Sequence, residues 1–245
     1  DTLRYYLSIN MPENHDTDFN WPDFVEKVNS ELIATYGNFV HRVLTLGHRL
    51  DATSGDPFAS FDQLELKDEK EEVERLFKLA TESLEKHRFK ESLRHIMGIA
   101  QYGNQVLQNA EPWKYMKNPN DDGYEHSISS LAFGWRIARC LAIATHPFMP
   151  KSAQKLWNLL GYDIEIQHQS WNDAIHWAAP RCWSNETPTP LFERLDLNEI
   201  MDREQGLIEA NDELKEDITH SVKGGKKKKK GEKNMSEIEG IQYID

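Results

Sequence analysis

Cysteine is scarce in this chain: only Cys140 and Cys182 occur among 245 residues. They lie far apart with no further Cys near either, so spacing supports neither a disulfide framework nor a zinc ribbon. They read as reduced thiols of an intracellular protein. Long apolar runs are missing too. No stretch approaches the roughly 20 residues of a membrane span, and the N-terminus lacks the basic and apolar regions of a signal peptide. The chain therefore reads as soluble and cytoplasmic. Positive charge is in the minority, with 29 Lys and Arg against 41 Asp and Glu and a net charge of −12. That balance excludes a broad, unspecific grip on nucleic acid, which needs clustered cations, so any such contact must be local. Ten His residues include no H-E-x-x-H and no pairing with Cys at ligand spacing, and no metal is assigned. There is no Gly-rich phosphate loop and no G-x-S-x-G, and Asp121-Asp122 beside Gly123 reads as a turn. No catalytic residue is assigned.

What the chain does have is helical patterning. Apolar content of 38% is low but within the range of folded proteins, and the length suits one compact domain with tails. Residues 1–18 read as a short buried element around Tyr5, Tyr6, Leu7 and Ile9, leaving a polar loop. Asn20-Trp21-Pro22-Asp23 then opens a helix, with proline and an acid in the first turn where both are favoured. Phe24, Val28, Leu32, Tyr36, Phe39 and Val43 recur at spacings of three and four, predicting one continuous core-facing stripe to about Leu50. Glu31, Thr35, Asn38 and Arg42 fall on another face. Residues 52–61, with Gly55 and Pro57, read as a loop. A second helix opens on Asp68, Glu69, Glu71 and Glu72, which suit the helix dipole, and turns Leu76, Leu79 and Leu84 inward. A third spans about 90–110, with Leu93, Ile96, Met97, Ala100, Val106 and Leu107 inward, and Glu111-Pro112 breaks it. A fourth, about 127–145, is apolar nearly all round and therefore central. A fifth, about 151–160, stops at Gly161. Trp171, Trp177 and Trp183 then suit an extended segment pinned by aromatics. Residues 198–216 are acidic and weakly helical, and 224–230, two Gly and five Lys, are low-complexity linker.

Two features stand out from this scaffold. Asn38 and Arg42 are one helical turn apart, so an amide and a guanidinium point the same way and can grip one planar hydrogen-bonding ligand such as a nucleobase. The same pair also suits a plainer use, capping neighbouring carbonyls or pairing with Glu31 or another acid. Trp113 follows the helix-breaking Pro112 and lies beside Lys114 and Lys117. An aromatic at a helix end among cations is a common way to stack single-stranded nucleic acid, and a half-buried Trp packing its loop fits equally. The lysines of 226–230 suit a solvated linker, with RNA backbone as the other partner.

These residues carry a family resemblance. The runs Asp1-Thr2-Leu3-Arg4-Tyr5-Tyr6-Leu7, Asp16-Thr17-Asp18-Phe19, Val28-Asn29-Ser30-Glu31-Leu32 to Gly37-Asn38-Phe39-Val40-His41-Arg42, Asn109-Ala110-Glu111-Pro112-Trp113-Lys114 and Pro147-Phe148-Met149-Pro150 come in order. Over residues 1 to about 195 the chain resembles the region after the catalytic core in methionyl-tRNA synthetases of archaeal or eukaryotic-like form. The resemblance implies an all-α fold, the anticodon-binding helix bundle of class I aminoacyl-tRNA synthetases, with an irregular C-terminal return segment. It divides the chain into a stem-contact junction (1–18), the bundle (19–165), an extended return segment (166–198), a charged flexible linker (199–234) and the truncated start of a further tRNA-binding OB domain (235–245).

The resemblance also implies roles. Asn38, Arg42 and Trp113 match the residues that read the anticodon of methionine tRNA, chiefly its first base, a cytosine, with His41, Lys114 and Lys117 as auxiliary RNA contacts. An amide that some bacterial members carry one turn before Asn38 is Ala34 here. The partners implied are methionine tRNA, the synthetase catalytic domain and an OB-fold domain, with no membrane. The signatures H-I-G-H and K-M-S-K-S are absent from the sequence. The expectation is thus a fragment or separately encoded part of a methionine-tRNA ligase, inactive alone and without a cofactor, with ATP and Mg used by the catalytic domain. Two other readings fit the same fold: the helical domain of a synthetase for cysteine, leucine, isoleucine or valine, and a helical interaction module without RNA binding.

Overall fold

Helices make up all the regular structure among the described residues of the computed structural model, which are 1–13, 16–50, 66–177 and 187–224. The expected loop at 52–61, Cys182, Trp183, the lysines of 226–230 and the segment 235–245 lie outside them. One compact unit runs from Asp1 to Leu197 and a second from Asn198 onward.

Helix α1 (Thr2–Ile9) buries Tyr5, Tyr6 and Ile9. Asp23 ties it to the next element: the Tyr6 hydroxyl (2.8 Å), Asn10 Nδ2 (3.1 Å) and Lys27 Nζ (3.0 Å) all donate to its Oδ2. Helix α2 (Trp21–Lys27) starts as the sequence predicts, with the Asp23 N–H donating to Asn20 Oδ1 at 2.8 Å and Pro22 in the first turn.

Here the structure departs from the expected continuous α-helix. Residues Val28–Gly37 form a π-helix, π1, before α3 (Asn38–His48) resumes α geometry. Its core residues Val28, Leu32 and Tyr36 are spaced by four throughout, which suits wider turns, and tertiary partners hold it. The Tyr5 hydroxyl donates to Glu31 Oε2 (2.9 Å), Asn104 Nδ2 donates to the Thr35 carbonyl (3.0 Å), and Asn29 exchanges two hydrogen bonds with the backbone of Leu195 (2.9 and 3.0 Å). Long π-helices are rare because their backbone geometry is poor, so contacts from three distant parts of the chain are the physical reason for this one.

Helix α4 (Lys67–Glu85) opens on Asp68 and Glu69, as expected, and buries Val73, Phe77, Ala80 and Ser83. Leu76, Leu79 and Leu84 sit half-buried on the shoulder of that stripe instead of at its centre. Its end is a tight reversal in which the Arg88 N–H donates to the Ser83 carbonyl (2.8 Å) and the His87 N–H to that of Leu84 (2.9 Å). His87 has φ 58° in the position that favours glycine. Removing its Cβ relieves more strain than the unfolded chain gains in freedom, so His87→Gly is expected to stabilise the protein by about 0.5–1 kcal/mol. A urea titration reads this as a higher midpoint at unchanged slope.

Helix α5 (Phe89–Ala110) returns against α4, and its Glu111 terminus, φ 45°, leads into the single turn α6 (Pro112–Tyr115). Central α7 (Tyr124–Thr145) is buried at every position from 127 to 145 except Arg136. Its Cys140 thiol is pushed up to about 12 by burial, which keeps it protonated and inert. The Ser127 hydroxyl donates to the Ala110 carbonyl (2.7 Å) and fixes the start of α7 to the end of α5. Helix α8 (Pro150–Leu159) follows, and Gly161 adopts φ 89° just beyond it.

The return segment is pinned by aromatics, as expected, but through short turns. Trp171 stacks on Phe77 with centroids 4.9 Å apart and donates to Thr81 (2.8 Å), while Trp177 leans on Phe133 and donates to Glu74 (2.5 Å). Buried Arg139 lies over Trp157 and donates to the Asp173 carbonyl (2.5 Å), where Ser170 and Asp173 form a reciprocal cap. Phe192 then covers Tyr36, centroids 5.9 Å apart, returning the chain to π1. In the second unit, the stretch from 199 that composition marks as linker is helical as far as Gly224, in α9 (Leu197–Gly224). Contacts within its own surface, Gln205 to Glu209 (2.8 Å) and Lys215 to Asp212 (3.2 Å), support it.

Candidate nucleic-acid interface

The change from π to α geometry falls at Asn38 and prepares its side chain. The Asn38 N–H is directed to the carbonyls of Ile33 and Thr35, passing over that of Ala34. Asn38 Nδ2 donates to the Ala34 carbonyl instead, at 2.9 Å. The capping use that the sequence offered for Asn38 is therefore present. With the amide nitrogen engaged, its exposed Oδ1 remains as an acceptor.

One turn on, Arg42 is half-buried, and its Cζ lies 5.5 Å from the centroid of the Trp113 ring. Among the described residues no carboxylate pairs with it. Glu31, the acid weighed as its partner, lies about three turns back along the helix and accepts from Tyr5. The cation over the indole holds both groups in one arrangement, worth about 0.5–1 kcal/mol at a partly exposed site. Trp113 is half-buried, and the left-handed backbone at Glu111 is what swings α6 out of the line of α5. A left-handed non-glycine residue costs roughly 1–3 kcal/mol and is tolerated where the surroundings hold it.

Asn38, Arg42 and Trp113 thus line one recess of about 490 Å³, together with His41, Thr45, Leu46, Arg49 and Gln108. No carboxylate lines it, in a chain of net charge −12. Sequence reasoning brought in His41 and missed four of these residues. Thr45 and Arg49 continue the series 38, 42, 45, 49 at spacings of four, three and four, a signal that was readable. Gln108 arrives from another helix, which no local pattern reveals.

Lys114 and Lys117 stand apart from the recess. Lys114 is held by Glu111, 2.6 Å away, whose hydrogen bond raises its amine above the ordinary range. Lys117 is exposed and does not line the recess. Among the described residues no group of His, Cys, Asp and Glu is arranged to hold a metal, and no helix is long and apolar enough to cross a membrane.

A half-buried indole, an arginine laid over it and an amide presenting an acceptor suit a planar polar ring. Comparison with known proteins gives the family. The family model for the anticodon-binding domain of tRNA ligases matches residues 70–230, and that for class I tRNA synthetases (M) matches residues 1–44. The methionine–tRNA ligase of Methanopyrus kandleri is 36% identical over 220 residues, covering 87% of this chain and 31% of the relative. The chain belongs to the methionyl-tRNA synthetase family. Another methionine–tRNA ligase, from Cytophaga hutchinsonii, is 39% identical over 178 residues, 71% of this chain and 24% of the relative. The chain thus spans about a third or less of the length of these relatives. Methionyl-tRNA synthetase from Mycobacterium tuberculosis, in its free state, shares the fold with a TM-score of 0.64 over 80% of this chain and 38% of that one, at 22% identity. Within the methionyl-tRNA synthetase family this chain corresponds to the anticodon-binding region.

Proposed function

We propose that the chain recognises the anticodon loop of methionine tRNA on behalf of a methionine–tRNA ligase, and that Asn38, Arg42 and Trp113 read the first anticodon base, a cytosine. The observation that carries the reading is the convergence of these three side chains on one recess free of carboxylates. Cytosine offers acceptors at O2 and N3 and a donor at its exocyclic amine. Arg42 supplies donors for the first two, and Asn38 Oδ1 is the acceptor for the third. Uracil reverses both at N3 and O4, so it would leave donors facing donors and acceptors facing acceptors in a partly dried site. Trp113 adds stacking that is indifferent to the base. Charging with methionine, and the ATP and Mg it uses, belong in this reading to a catalytic domain joined to this region, and the fold presents tRNA to it.

The test is a pair of anticodon hairpins differing only in cytosine or uracil at the first position. The unaltered chain is expected to prefer cytosine, and Arg42→Ala to remove about 1–3 kcal/mol of that preference, roughly five- to 150-fold in the ratio of dissociation constants. Equal binding of the two hairpins by the unaltered chain overturns the proposal.

A further inference from the structure

We infer that a small recess between the first turn of α4, the last turns of α5 and the start of α7 binds a primary alkylammonium group, the end of a small diamine or polyamine. The inference goes beyond the anticodon reading and does not depend on it.

The recess measures about 140 Å³, room for about four or five waters at about 30 Å³ each. Spacing builds it: Tyr102, Gln105 and Asn109 recur at three and four along α5, His126 and Ser130 are four apart on α7, and Glu69 reaches in from α4. Ser130 is 1% exposed, and its hydroxyl is buried without a hydrogen-bond partner. Native proteins seldom leave a buried polar group in that state, and a bound group supplies the missing partner. Among the described residues the other five polar side chains also have no hydrogen bond or ion pair. Three helices thus bring six unpartnered polar groups to one small opening.

The chemistry of the lining selects the ligand. No lysine or arginine lines the recess, and Glu69 is its carboxylate. The Tyr102 hydroxyl is held above its ordinary range, first by burial and then by the negative charge of Glu69, Glu72 and Asp68. Of these acids only Glu72 is paired, with Arg75. The recess therefore lies in a negative field, which disfavours phosphate and carboxylate ligands. A divalent metal would find one carboxylate and one imidazole, fewer than its usual ligand set. A primary ammonium carries three donors and no acceptor. Glu69, the amide oxygens of Gln105 and Asn109 and the hydroxyls of Tyr102 and Ser130 are acceptors for all three. Val106 and the Tyr102 ring supply apolar surface for the adjoining methylenes. Asn109 follows Gln108 of the Trp113 recess along α5, so a bound cation also offsets the acids of α4 beside that recess.

The experiment titrates the full chain with putrescine, with its neutral analogue butanediol and with magnesium chloride, all at one ionic strength, following the melting temperature and the amide NMR shifts around Asn109. Putrescine is expected to saturate one site and raise the melting temperature with concentration, and butanediol to do neither. Glu69→Gln removes the charged acceptor and should weaken putrescine binding by about tenfold or more. Glu85→Gln removes the same charge from an exposed acid at the other end of α4, and should leave binding within about twofold. Ser130→Ala should lose several-fold in affinity, yet melt no lower than the unaltered chain when amine is absent, since it removes a buried hydroxyl that has no partner. Equal losses in Glu69→Gln and Glu85→Gln would reveal a diffuse counterion effect and overturn the inference. So would equal binding of butanediol, which would mark a cavity that merely replaces its water, or a stronger response to magnesium. An oligolysine peptide that binds several-fold tighter than putrescine would assign the recess to a lysine of another protein, and overturn it as a site for a free amine.

Discussion

Trp113→Ala is expected to weaken binding of both the cytosine and the uracil hairpin by about 1–3 kcal/mol, the range for removing one base-stacking aromatic. That is roughly five- to 150-fold in dissociation constant, to be read by fluorescence anisotropy at fixed salt. The two hairpins should lose affinity nearly in parallel, because every base offers the indole a π-face and stacking carries no donor or acceptor pattern. Arg42→Ala acts the other way, changing the ratio more than the mean. The two are not independent, since Arg42 lies 5.5 Å from the Trp113 centroid and loses its support when the ring goes. The double variant should therefore lose less than the summed losses of the single ones. The melting temperature should hardly move, because α6 is a single turn and its indole is only half-buried. Undiminished hairpin affinity in a folded Trp113→Ala chain removes Trp113 from the interface.

Much of this arrangement is legible in the sequence where the cause is local. The Asn20 cap, the break at Pro112, the stop at Gly161 and the all-round burial of α7 follow from residue chemistry within a few positions, and each is where the pattern puts it. The shared face of Asn38 and Arg42 is of the same kind, since both sit in α geometry one turn apart. What escaped the sequence is decided at a distance. Continuous spacing of apolar residues predicts α-helix through Val28–Gly37, yet Tyr5, Asn104 and Leu195, from three other parts of the chain, hold that stretch as a π-helix. The consequence reaches the site: the wider turns leave the Ala34 carbonyl to the Asn38 side chain. Both readings of Asn38, cap and base contact, are thereby compatible, with one end of the amide for each. Lys114 is paired for a local reason, a carboxylate three residues back.

Gly103→Ala offers the sharpest test of how the recess is built, because two ordinary effects oppose each other there. In a helix interior, alanine is better than glycine by about 1 kcal/mol. At Gly103, however, an added Cβ would lie 2.5 Å from Phe39 Cε2 and 2.7 Å from Phe39 Cζ, and that ring is fully buried with nowhere to turn. Overpacking of a filled core costs about 1–3 kcal/mol or more, so the clash outweighs the propensity gain and the net loss should be about 1–2 kcal/mol. For a chain of this size that is a fall of several degrees, roughly 2–4 °C per kcal/mol. Gly98 on the same helix supplies the control. Its added Cβ would meet only Leu76 atoms at 3.6 and 3.8 Å, ordinary contact, so Gly98→Ala should keep the propensity gain and melt no lower than the unaltered chain. Gly103 faces the residue after Asn38 and is five positions before Gln108, so it sets the approach of α3 to α5. The clash is relieved only by moving those helices apart, and Gly103→Ala should therefore also weaken the cytosine hairpin more than Gly98→Ala does. Equal stability of the two variants would mean that α3 and α5 slide without cost, and that close packing at Phe39 does not hold the recess in shape.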